Sequence, residues 1–88
     1  MVSRQITIVN RDGFHMRAAG DFAKAMAAFQ SEVTVSSANK SVNGKSIMHL
    51  IASGFQKGTE LTIQCEGPDE AAQLEAACEM IASGFGEA

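Results

Sequence analysis

Hydrophobic positions in this chain recur with two different periods, and the switches between them divide it into strands and helices. From Gln5 to Asn10, Ile6 and Ile8 alternate with Gln5, Thr7 and Val9, which predicts a strand with one buried face. After the turn RDG, Ala19, Phe22, Ala23, Met26 and Phe29 return at helical spacing, predicting a helix over Met16 to Phe29. SEVTVSS and KSVNG then read as two short strands joined at Ala38 and Asn39, with Val33, Val35 and Val42 turned inward. A brief helix is expected from Ser46 to Ser53, opened by a capping serine and stopped by Gly54. Leu61, Ile63 and Cys65 alternate with Thr62 and Gln64 in a fourth strand. Ala71, Leu74, Cys78, Ile81 and Phe85 form the stripe of a last helix, with Asp69 as its N-cap, Glu70 in its first turn and Gly84 near its end. The order β-α-β-β-α-β-α, with strands buried on one side only, implies an antiparallel or mixed sheet covered by helices on one face: an open-faced α+β sandwich.

Length and composition narrow the function more than they alter this fold. The 88 residues suffice for one domain, residues 1–88, with a single modest core and a surface site rather than an enclosed one. At 45% hydrophobic and 19% charged residues the whole chain is expected to fold. A net charge of −3 gives no general attraction to nucleic acid or to an anionic membrane. MVSRQITIVN enters strand residues without a signal-peptide core, and no apolar run reaches membrane-spanning length, so a cytoplasmic protein is expected. Cys65 and Cys78 occupy apolar positions of separate elements and read as reduced core thiols. No ligand spacing suggests a metal, no cofactor is implied, and no second acid or base completes a hydrolytic set, so a free-standing enzyme is disfavoured.

The chemistry concentrates in DGFHMRAAGDF, residues 12–22. A helix beginning at Met16 places His15 at the N-cap, where the free amides of the first turn favour an anion, and puts Arg17 within that turn. A neutral imidazole is a competent nucleophile, and a phosphoryl group on its ring could be held by those donors and by Arg17. The plain alternative is that His15 caps the helix and Arg17 is a solvated charge, although arginine is electrostatically unfavourable there without an anion. Ile47, Met48, Leu50 and Ile51 crowd more apolar side chains onto a two-turn helix than one buried stripe holds, so some must face solvent. His49 reads as an exposed helical residue and Ser46 as an N-cap.

GFHMRAA, KSVNGKSIMHLIASG and GPDEAAQLE, in this order and spacing, resemble the HPr family of histidine-containing phosphocarriers of the bacterial phosphoenolpyruvate-dependent phosphotransferase system. The resemblance spans essentially the whole chain. It implies a four-stranded antiparallel sheet in the order 1-4-2-3 with three helices on one face. It further implies that His15, through its Nδ nitrogen, accepts a phosphoryl group from phosphorylated enzyme I and gives it to an enzyme IIA domain, with Arg17 beside the phosphohistidine. Phe14, Met16, Ile47, Met48 and Ile51 become partner contacts, and Ser46 a site that an HPr kinase/phosphorylase could modify. A monomer is expected. A second reading keeps the fold but makes the chain a regulatory or interaction module working through Ser46 and the surface of the short helix. Three positions depart from the family pattern: Ala18 where proline is usual, Gly20 where alanine is usual, and Phe14 in place of leucine or methionine.

Overall fold

The computed structural model describes residues 1–86. Its elements are β1 (Val2–Thr7), α1 (Met16–Ala27), β2 (Glu32–Ser36), β3 (Ser41–Asn43), α2 (Ile47–Ser53), β4 (Glu60–Glu66) and α3 (Glu70–Ala82), followed by a single 3-10 turn at Gly84–Gly86. The strands form one sheet in the order β1-β4-β2-β3, every neighbour antiparallel. β4 is central: Val2 pairs with Cys65 and Thr7 with Glu60 on one side, Val33 with Cys65 and Ser36 with Thr62 on the other. Because side chains alternate across a strand, Leu61, Ile63 and Cys65 of β4 and Val33 and Val35 of β2 all enter the core. Ser3, Gln64, Thr34 and Asn43 lie in one row of the opposite, polar face.

The helices close the apolar face. Ala19, Phe22, Ala23 and Met26 of α1, Leu50 of α2, and Leu74, Ala77, Cys78 and Ile81 of α3 join the strand residues in one buried cluster. Each of the large side chains among them contributes about 1.5–3 kcal/mol by leaving water. Both cysteines are free and buried, and burial pushes the Cys65 thiol up to about 11. No helix among the described residues is long and apolar enough to cross a membrane.

The expected elements are present, with shifted bounds. β1 runs from Val2 to Thr7 rather than from Gln5 to Asn10, because its partner β4 offers a ladder to the earlier residues. Arg4 shares the inward face of β1 with Val2 and Ile6, which hid the alternation; its guanidinium reaches Glu75 of α3 at 3.3 Å. Ile8, beyond the strand, is still buried and exchanges backbone bonds with the 56–59 turn. α1 ends at Ala27, and Phe29 follows in a tight turn in which its amide donates to the Met26 carbonyl at 3.1 Å.

α3 carries the larger corrections. Ala71 is exposed, whereas Gln73 is wholly buried and donates through Nε2 to the carbonyls of Ser31 and Met26. Phe85 lies past the helix in a left-handed conformation, φ +58° and ψ +29°. Asp69 holds the N-cap position but its side chain makes no capping bond to α3. Its carboxylate instead accepts from the amides of Gln30 and Ser31 and from the Ser31 hydroxyl, tying the α1–β2 turn to the start of α3. The Ser31 hydroxyl, followed by the Gln30 amide, holds the Asp69 carboxyl below its ordinary range.

Candidate functional site

His15 is delivered to the head of α1 by irregular chain, residues 8–15, lying against a second irregular segment, residues 54–59. The Phe14 amide donates to the Phe55 carbonyl at 3.2 Å. Gly13, at φ +58°, makes that approach possible: a Cβ there would stand 2.2 Å from the Phe55 oxygen. Asn10 Nδ2 donates to the Gly13 carbonyl at 2.8 Å.

His15 then takes the N-cap position with extended backbone, φ −73° and ψ 176°, and its carbonyl accepts from the Ala19 amide at 2.8 Å. Its half-buried side chain makes no capping bond, so the capping role that would have accounted for it is absent. Arg17 is exposed, no carboxylate lies in the first turn of α1, and the ion pairs found among the described residues, Met1 with Glu70 and Arg4 with Glu75, leave Arg17 out. The head of α1 is thus a positive helix end with one added cation and no acidic side chain in its first turn.

α2 packs beside α1. Ser46 caps it as expected, accepting from the His49 amide at 3.2 Å, while Leu50 anchors its underside in the core. Met16 is 76% exposed, Met48 75%, Ile47 45% and Ile51 39%. These four are solvent-facing apolar residues on the paired helices, and His49 is exposed with them. Phe14 is the correction. Expected among the partner contacts, it is buried, its ring packed at 5.2 Å from that of Phe22 and 5.0 Å from that of Phe85. A larger ring before the histidine served the core because the turn at Gly13 points it inward.

Residues 2–83 match the protein family described as PTS HPr component phosphorylation site. The chain belongs to the HPr family. The phosphocarrier protein HPr of Neisseria meningitidis serogroup A is 39% identical over 87 residues, which covers 99% of this chain and 98% of that one. HPr of Haemophilus influenzae is 40% identical over 75 residues, 85% and 88% of the two chains. Among solved structures, HPr-C-His from Thermoanaerobacter tengcongensis superposes with a TM-score of 0.95 at 36% identity over 100% and 99% of the chains. The Bacillus subtilis catabolite repression containing protein Crh, in a domain-swapped dimer, gives 0.76 at 31% identity over 96% and 97%.

This HPr-family chain absorbs its departures locally. Ala18 is buried at the head of α1, and Gly20 is in the helix interior with open space around it. The residues that sequence reasoning missed are Asn10 and Phe55, which fix the loop, and Phe85, which backs Phe14. Asn10 carried a weak signal, an amide side chain opening the turn NRDG. Phe55 carried none, and the apolar spacing that put Phe85 on the last helix's stripe did not show that it meets Phe14, since both roles depend on which segments meet.

Proposed function

We propose that this chain is a phosphoryl carrier in which His15 accepts a phosphoryl group from phosphorylated enzyme I and passes it to an enzyme IIA domain. The observation that carries the reading is the imidazole of His15, placed at the head of α1 without a capping bond to it, two residues before Arg17, which takes part in neither ion pair found among the described residues. In the neutral ring the Nδ lone pair forms the N–P bond as the donor's bond to phosphorus breaks. The first-turn amides of α1 and the Arg17 guanidinium then balance the phosphoryl charge. The phosphoramidate remains reactive enough to be attacked by the next acceptor, so the chain acts as a stoichiometric intermediate in the cytoplasm and has no cofactor. Met16, Ile47, Met48 and Ile51 supply the apolar part of the surface that partners cover.

The test is incubation with phosphoenolpyruvate and enzyme I, followed by mapping of acid-labile phosphate. Label on His15, lost in His15→Ala with the fold intact, is expected; label that persists in His15→Ala would refute the assignment. Arg17→Ala is expected to slow transfer while leaving thermal stability near the parental value, and unchanged kinetics would reduce Arg17 to a solvated charge.

A second reading, a regulatory module acting through Ser46, is favoured by the likeness to Crh. Ser46 opens α2 next to Ile47 and Met48, so a kinase of the HPr kinase/phosphorylase class would place its phosphate at a helix head and beside the docking surface. Incubation with such a kinase and ATP, with Ser46→Ala as the control, tests it: absence of label on Ser46 would remove this reading.

A further inference from the structure

The chain that sets His15 in place is neither helix nor strand, so its geometry depends on a few specific bonds. Asn10 supplies the central ones. It is 6% exposed, its Nδ2 donates to the Gly13 carbonyl at 2.8 Å, and its own carbonyl accepts from the Gly13 amide at 3.3 Å. One residue therefore closes the turn 10–13 with both backbone and side chain, two positions before His15. A buried donor is costly unless its bond is made, so the Nδ2 bond to the Gly13 carbonyl favours the turn shape that keeps it.

The 84–86 turn after α3 leans on the same turn. Gly84 is buried so closely against Asn10 that a Cβ on it would lie 3.3 Å from the Asn10 Cβ. Phe85, held in its left-handed conformation, sets its ring 5.0 Å from Phe14 and 6.4 Å from Phe22. Its support thus reaches the residue adjoining His15, while Gly84 backs the residue that closes the turn.

We infer that Asn10, backed by the 84–86 turn, is a positioning residue for phosphoryl transfer, holding His15 at the head of α1 through the backbone of residues 13 and 14. The inference rests on the reading of His15 as the phosphoryl acceptor. It assigns Asn10 no contact with the phosphoryl group. A displacement of about 1 Å at the reacting atom is enough to lower a transfer rate about a hundredfold.

The experiment compares the full-length parent, Asn10→Ala, Asn10→Asp and Ser31→Ala in rapid-mixing phosphorylation by enzyme I and phosphoenolpyruvate. Asn10→Ala is expected to lower kcat for His15 roughly tenfold to a hundredfold with KM for the carrier within about twofold of the parent. Ser31→Ala removes the hydroxyl bond to Asp69 beyond the far end of α1, a helix about 18 Å long; it is expected to lose stability and keep the parental kcat. In Asn10→Asp the donor to Gly13 is missing while the new carboxyl is ionised and returns on protonation. The Phe14 amide resonance is therefore expected to move away from its parental position at neutral pH and back towards it in acid. A parental kcat in Asn10→Ala, or an equal loss in Ser31→Ala, would overturn the inference. Should Asn10→Ala fail to fold, Phe85→Leu takes its place: a several-fold lower kcat with unchanged KM supports the role, and a parental kcat overturns it. If the parent itself takes no label on His15, the carrier reading fails and this inference fails with it.

Discussion

Gly20→Ala should make the protein more stable, and the size of the gain follows from where Gly20 stands. It is the fifth of the twelve residues of α1, an interior position, and a Cβ built there meets no atom within 4 Å outside the helix's own backbone. Nothing in the fold therefore opposes the substitution. Glycine has more unfolded-state freedom to lose than alanine, and the difference in a helix interior is about 0.5–1 kcal/mol. For 88 residues the unfolding entropy is near 185 cal/mol/K at about 2.1 cal/mol/K per residue, so the gain corresponds to roughly 3–5 °C in Tm. Differential scanning calorimetry of parent and variant under reversible conditions reads this directly. An unchanged or lowered Tm would show that the position is obstructed, or that α1 is not helical at Gly20, and would refute the reasoning. The same preparation reports on function: His15 lies at the other end of the first turn, its backbone bonded to Ala19, so phosphorylation by enzyme I should proceed at the parental rate.

The same substitution at Gly13 should do the opposite, because the Cβ would meet the Phe55 carbonyl oxygen and the residue is at φ +58°. A loss of about 2 kcal/mol or more, measured by urea unfolding, is expected, and a neutral result would mean that the 10–14 and 54–59 segments are not in contact. Ser46→Asp keeps a good capping residue on α2, so Tm should remain near the parental value, while the charge beside Ile47, Met48 and Ile51 raises KM with enzyme I; equal KM values would remove those residues from the docking surface. Acid should destabilise the fold through Asp69, held low chiefly by the Ser31 hydroxyl, and Glu70, held low chiefly by its bond from the N-terminal ammonium. Carboxyls with folded pKa values below their unfolded ones stabilise the protein above about pH 4, and that contribution is lost as pH falls through the folded values. Tm should accordingly drop between about pH 5 and pH 2, less steeply in Ser31→Ala, and a parental slope in that variant would mean that the Ser31 hydroxyl does not hold the Asp69 carboxyl low.

Periodicity decided which side chains face the core wherever the deciding neighbours are close in sequence. Ile8, Phe22, Met26, Val33, Val35, Leu61 and Ile63 are buried as their spacing required, because a period of two or of 3.6 is a property of the local backbone. The same local logic placed His15 at a helix head, Ser46 at another, and the surplus apolar residues of α2 in solvent. The strand order came from family resemblance, since four short strands with one apolar face each fit several orders equally well, and the sheet bears that order out.

What local pattern did not decide are the bonds between segments far apart in the chain. Asp69 looks like a helix cap from its neighbours, yet its carboxylate is taken by Ser31, 38 residues away; Gln73 stands outside the expected apolar stripe, yet it is buried on a carbonyl 42 residues away. β1 begins at Val2 because β4 is there to pair with it. Phe14 points inward because Gly13 can approach Phe55, and Phe85 meets it only once α3 has carried the chain back across the sheet. A polar group or an aromatic ring is placed by whichever partner satisfies or covers it, and that partner is chosen when the elements pack. Sequence thus determined the strands, the helices and the histidine at the head of α1, while tertiary packing alone decided how the loop that carries that histidine is held.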